Sequence, residues 1–208
     1  ERSSVLYIGC DLKRFDDMST TAEEKPLILW NHRWEFDKNP KSFFNILFRL
    51  KEDNIPFSLA VLGESFETYP DIFDTAKKKL NDQIIHWGYC KSSEEYKKWF
   101  QKGDILPITS IQEFFGVSAV EGAYSSIYPI LPNRLSYPEV FDIDKRPELF
   151  YDSDEQLYDK LKECILNIDK TRENSKKISH DFHRFDWSSM TLEYDQKFVD
   201  FSHGNNPR

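Results

Sequence analysis

Between Leu27 and Asn167 short apolar runs alternate with segments of helical period, and that alternation leaves few architectures open to the chain. Leu27 to Asn31 is a compact apolar run, Pro40 opens a helical segment with Phe43, Leu47 and Leu50 on one face, and Phe57 to Leu62 is the next strand-like run. The same reading predicts helices over 71–80, 93–101, 116–123 and 154–167, and strands over 83–86, 104–108 and 127–131. Strands separated by whole helices pair in parallel, with the helices covering both faces. The expected fold is therefore α/β, a Rossmann-like doubly wound parallel sheet with terminal helices.

A chain of 208 residues has room for one sizeable α/β domain. The expected division is an interdomain segment and polar linker over 1–25, the Rossmann-like domain over 26–170, and a helical tail over 171–208. The tail carries Trp187, Tyr194, Phe198 and Phe201 at roughly helical spacing, which predicts a terminal helix packing its aromatics on the body, with a frayed end over 202–208. The chain begins with Glu rather than Met, as a domain excised from a longer protein would.

Charge narrows the partners. A net charge of -8 leaves no broad cationic face for nucleic-acid phosphates, so an RNA partner would be held mostly elsewhere. The three cysteines, Cys10, Cys90 and Cys164, lie far apart with no second thiol at metal-ligand spacing, so neither a disulfide framework nor a zinc site is expected, and a reducing, cytosolic setting fits. No apolar run approaches bilayer length, so no membrane partner is expected.

In a doubly wound sheet, ligands bind beyond the carboxyl ends of the strands. The loop after the first strand places Arg33 and Lys38 five residues apart, just ahead of the helix opened by Pro40. A guanidinium fork and an ammonium point charge together suit a diphosphate. The loop after Ile108 runs through Glu113, Phe114, Phe115, Gly116, Val117 and Ser118 to Glu121. Gly116 permits close backbone approach, and the Val117 and Ser118 amides at a helix start can bind a phosphate oxygen. Glu113 and Glu121 can accept hydrogen bonds from sugar and ribose hydroxyls.

These residues resemble the retaining GT-B glycosyltransferases that carry a Glu-x7-Glu motif. Ile8 to Phe15 is similar to their interdomain segment, Arg33 and Lys38 to their diphosphate-gripping pair, and Trp87-Gly88-Tyr89-Cys90 to their base-binding loop. Within that family the resemblance is nearest to the tRNA-queuosine alpha-mannosyltransferases, carried by Trp30 to Pro40, Val61 to Glu64, Ile85 to Tyr89, Glu113 to Gly116 and Ser136 to Phe141. The resemblance implies a domain that binds GDP-mannose without a metal or other cofactor, in an enzyme moving mannose to queuosine in tRNA. It assigns Arg33, Lys38 and Glu113 to catalysis. It assigns donor contacts to the same three residues with Tyr89, Cys90, Ser92, Phe114, Phe115, Gly116, Val117, Ser118 and Glu121. It also implies that the half preceding Val5 binds the acceptor, so that the segment alone would transfer no sugar.

Other readings compete. Asp142-Ile143-Asp144 and Asp152-Ser153-Asp154 spell the Asp-x-Asp of metal-dependent transferases, but both lie beyond the anion-binding loops, among turn residues, where solvated or capping roles are expected. A nicotinamide oxidoreductase would need a Gly-x-Gly-x-x-Gly turn, which none of the 7 glycines forms. His32 and His86, beside strand ends, read as structural histidines. A sugar-nucleotide epimerase of the same fold, a transferase with another acceptor and a catalytically silent binding module stay open.

Overall fold

The computed structural model describes residues 5–16, 23–65 and 67–202. The linker expected before Lys25 falls partly on 17–22 and the frayed end on 203–208, outside the described residues. Along the chain come β1 (Leu27–Trp30), α1 (Pro40–Glu52), β2 (Ser58–Val61), α2 (Ile72–Lys79), β3 (Ile84–Trp87), α3 (Ser93–Lys102) and β4 (Ile105–Pro107). They are followed by α4 (Val117–Tyr124), β5 (Tyr128–Pro132), α5 (Tyr137–Val140), β6 (Phe150–Tyr151), α6 (Asp154–Leu166), α7 (Ile168–Ser179) and α8 (Trp187–Ser202).

The six strands form one parallel sheet in the order β3-β2-β1-β4-β5-β6. Ile28 sits opposite Leu59 on one side and Ile105 on the other, so the strand order reverses beside β1. Every residue of β1 is buried, as expected of a central strand covered on both faces. The abundant aromatics fill one of those layers. Trp30 packs on Phe43, Phe44 and Phe73, and Trp34 stacks on Phe73 with ring centroids 4.3 Å apart.

At the amino ends of the strands, buried Asp104 accepts the Leu27 amide and receives a two-pronged contact from Arg172 of α7, at 2.7 and 3.2 Å. Residues 5–16 are held by the return of the chain. The Cys10 amide donates to the Phe185 carbonyl, the Trp187 amide donates to the Cys10 carbonyl, and the Asp186 carboxylate accepts the amides of Leu12 and Lys13. Burial works against the charged Asp186 carboxylate, but hydrogen bonds from the Ser188 hydroxyl and amide and from the Lys13 and Leu12 amides outweigh it and hold its pKa below the ordinary value.

The tail differs from expectation in one respect. It is helical, Trp187 lays its ring on Gly9 and Tyr194 packs on the core with its hydroxyl donating to the Tyr7 carbonyl, but Phe198 is 66% exposed and Phe201 40%, and Met190 is the only buried residue of α8 among those described. The body beneath this segment is met by the short 180–185 turn, whose Phe182 and Phe185 take the core positions, so α8 runs over the surface.

Candidate functional site

The strand order 3-2-1-4-5-6 opens a crevice at the carboxyl ends of β1 and β4, where the helices leave for opposite faces. The two loops bordering it are tied together. The Ile111 amide donates to the Asp37 carbonyl at 2.8 Å, and the Thr109 hydroxyl donates to the Lys38 carbonyl at 2.7 Å. Across that seam Lys38 Nζ lies 3.4 Å from Glu113 Oε2, 3.3 Å from the Gln112 carbonyl and 3.1 Å from Asp37. Burial alone would raise the Glu113 pKa, but the Lys38 ammonium and the amides of Phe114 and Phe115 prevail and hold it below the usual carboxylate range. Glu113 therefore stands charged in the crevice, with its cation in place.

Arg33 is set apart from this pair. Its side chain is 57% exposed and bound to Glu35 at 3.1 Å, whereas that of Lys38 is 11% exposed. Phe114 projects into solvent at 98% exposure, while Phe115 turns inward onto Tyr7 and Phe185. Gly116 is the N-cap of α4 with φ +90°, and a Cβ there would meet the Tyr137 ring at 2.7 Å. Its helix start presents the amides of Val117 and Ser118. The Ser118 hydroxyl lies 3.2 Å from His32 Nδ1. Burial, then Lys38, lowers the pKa of His32 to about 4, so the ring is neutral at physiological pH. Its Nε2 is buried and has no hydrogen-bond partner among the described residues.

Glu121 lies one helical stretch further on, buried, with Arg14 paired to one carboxylate oxygen and the Tyr96 hydroxyl donating to the other at 3.0 Å. Burial raises its pKa and Arg14 opposes that rise. Tyr89, Cys90 and Ser92, the residues the resemblance assigns to the donor, line a cavity of about 440 Å³ together with Arg14, Asn31, Gly63, Lys91, Ser93 and Tyr96. Ser92 also caps α3, accepting the Glu95 amide at 3.1 Å. Arg14 and Tyr96 are the two site residues whose roles loop inspection does not reveal. Arg14 sits in a segment read only as a connector, and Tyr96 reads as one more aromatic on a helix.

Three of the four aspartates in the Asp-x-Asp spellings make local hydrogen bonds. Asp142 accepts the Lys145 amide, Asp152 accepts Asn133, and Asp154 accepts the Ser42 hydroxyl.

Fold and crevice together define a doubly wound α/β domain of the kind that forms the C-terminal half of GT-B glycosyltransferases. The chain belongs to the group 1 glycosyl transferases, whose family profile matches residues 13–181. It is 35% identical over 150 residues to the tRNA-queuosine alpha-mannosyltransferase of Drosophila melanogaster, a match covering 68% of this chain and 40% of that protein. It thus spans less than half the length of that relative. Among solved structures it resembles the C-terminal domain of a glycosyl transferase group 1 family protein from Francisella tularensis, with 22% identity, TM-score 0.64, and 86% of this chain and 93% of that one covered. It also resembles Anabaena HepE in complex with UDP, with 13% identity, TM-score 0.76, and coverage of 95% and 57%. No helix among the described residues is long and apolar enough to cross a membrane.

Proposed function

We propose that this chain is the donor-binding domain of a retaining glycosyltransferase that takes mannose from GDP-mannose and delivers it to queuosine in tRNA. The observation carrying the donor half of this reading is the Lys38–Glu113 pair beside the α4 amino terminus, at the switch point of the sheet. The acceptor half is supported by the likeness to the Drosophila mannosyltransferase.

The chemistry follows from the leaving group. Cleavage of the bond between sugar C1 and the diphosphate oxygen builds negative charge on the diphosphate. Lys38 and the amides of Gly116, Val117 and Ser118 border the crevice where that charge develops, and Arg33 joins them on leaving Glu35, so departure of the leaving group needs no metal. Glu113 orients the sugar, which passes through an oxocarbenium-like state. Glu121 receives the ribose hydroxyls. Each of its oxygens keeps a lone pair beyond those used by Arg14 and Tyr96, so the diol adds to that network without dismantling it. The guanine is received by the cavity lined by Tyr89, Cys90 and Ser92. With a net charge of -8 the chain offers tRNA little phosphate-binding surface, and the acceptor is held mainly outside this segment.

Titration calorimetry in EDTA tests the donor assignment. GDP and GDP-mannose are expected to bind without metal and more tightly than UDP or UDP-sugars. Binding of UDP with no heat from GDP, or binding that appears only on adding Mg²⁺ or Mn²⁺, would overturn it.

A further inference from the structure

Outside the proposed diphosphate crevice, three side chains of different ligand types converge behind Cys90, which lines the cavity. His86 lies in β3, Cys90 in the following loop and Glu95 in the first turn of α3, and one ligand atom from each lies within 4.8 Å of the others. His86 Nε2 and Cys90 Sγ are 4.0 Å apart. The thiol is buried. Glu95 is already fixed, since its carboxylate accepts the Lys91 amide at 2.8 Å and its own amide is capped by Ser92. The ring of His86 is backed by Trp99 with centroids 4.8 Å apart.

We infer that His86, Cys90 and Glu95 form a binding site for a divalent ion of the zinc class, which clasps the 88–92 loop to the start of α3. Nitrogen, sulfur and oxygen donors suit Zn²⁺, whereas Mg²⁺ and Ca²⁺ prefer oxygen alone. A thiolate and a carboxylate neutralise the ion's two charges and the imidazole binds neutral. On binding, the Cys90 thiol releases its proton to solvent, and the sulfur lone pair forms the bond to the metal. His86 Nε2 now faces the Gly88 carbonyl at 2.9 Å, and that contact is exchanged for the metal bond as the ring proton moves to Nδ1. Three protein ligands leave a fourth position, and because Cys90 lines the 440 Å³ cavity that position opens beside the proposed base pocket. The ion takes no part in sugar transfer; it sets the shape of the loop. This inference stands on the cluster's geometry, independently of the donor assignment.

Titration of the chain with Co²⁺, followed by competition with Zn²⁺, tests it. One equivalent of Co²⁺ is expected to give a thiolate-to-cobalt charge-transfer band with the visible absorption of a tetrahedral site, and Zn²⁺ to erase both. Cys90→Ser is expected to abolish the charge-transfer band and weaken Zn²⁺ binding by more than the ~10–100-fold that loss of an outer-shell partner costs. Cys164→Ser leaves both unchanged. Glu95→Gln, at a half-exposed position, provides a second variant that keeps the fold and is expected to weaken Co²⁺ binding at least about tenfold. Absence of the band in the parent, its survival in Cys90→Ser, or parent-like affinity in Glu95→Gln would overturn the site.

Discussion

Lys38→Ala is expected to weaken GDP binding by about ten- to a hundredfold, the worth of roughly 1.5–3 kcal/mol for a hydrogen bond to a charged group. The size follows from placement. Lys38 is nearly buried, its backbone is pinned by Thr109, and its ammonium already sits in the crevice between Asp37 and Glu113, so little entropy is lost when a diphosphate arrives. An ammonium has three protons to share, which lets it turn from the Gln112 carbonyl to a phosphate oxygen while keeping Glu113. Removing it also leaves Glu113 without the cation that offsets its burial, so its charge would oppose that of the diphosphate. Arg33→Ala is expected to cost less, because the guanidinium is exposed, screened, and must leave Glu35 to reach a ligand. Calorimetry with GDP on variants whose thermal melts match the parent decides the matter. Parent-like binding by Lys38→Ala would remove the β1 loop from the donor site.

Gly63→Ala is expected to destabilise the folded chain by about 4 kcal/mol, near the top of the range for point substitutions. Gly63 follows β2 with φ +108°, a conformation that costs a residue with a side chain on the order of 1–3 kcal/mol. The contact is worse than the torsion. A Cβ would fall 2.8 Å from the His32 carbonyl carbon and nearer still to its oxygen, and backbone cannot rotate out of the way as a side chain can. The loops after β1 and β2 are locked at this point, since the Trp34 amide donates to the Glu64 carbonyl and the Trp34 indole to the Leu62 carbonyl. Any relief therefore displaces His32 and its neighbours Asn31, which lines the cavity, and Arg33. Denaturant unfolding measures the loss, and an unfolding midpoint unchanged from the parent would show that the two loops are not in contact as described.

The sequence by itself determined the βαβ succession from Leu27 to Leu166, because a buried parallel strand is a short apolar run and a covering helix repeats its apolar face, both of which are local patterns. It was silent where burial does not take that form. The helix α7 carries no apolar stripe because its buried positions include Thr171, Ser175 and Ser179, whose hydroxyls donate to the backbone carbonyls of Cys164 and Asn167, of Arg172 and of Lys176 and so hide in the core. The two-residue strand β6 and the four-residue helix α5 are too short to show a period. The loops that border the crevice were legible, since loops after strands are where such a sheet binds ligands. Which side chains meet there was not. Lys38 and Glu113 face each other because β1 and β4 are neighbours in space, Arg14 and Tyr96 close on Glu121 because the connector lies across α3 and α4, and His86, Cys90 and Glu95 converge because the loop after β3 folds back on the helix it precedes. Periodicity records how each segment buries itself. Strand order and loop closure, which depend on all segments packing together, decide which charges end within a few ångströms of one another.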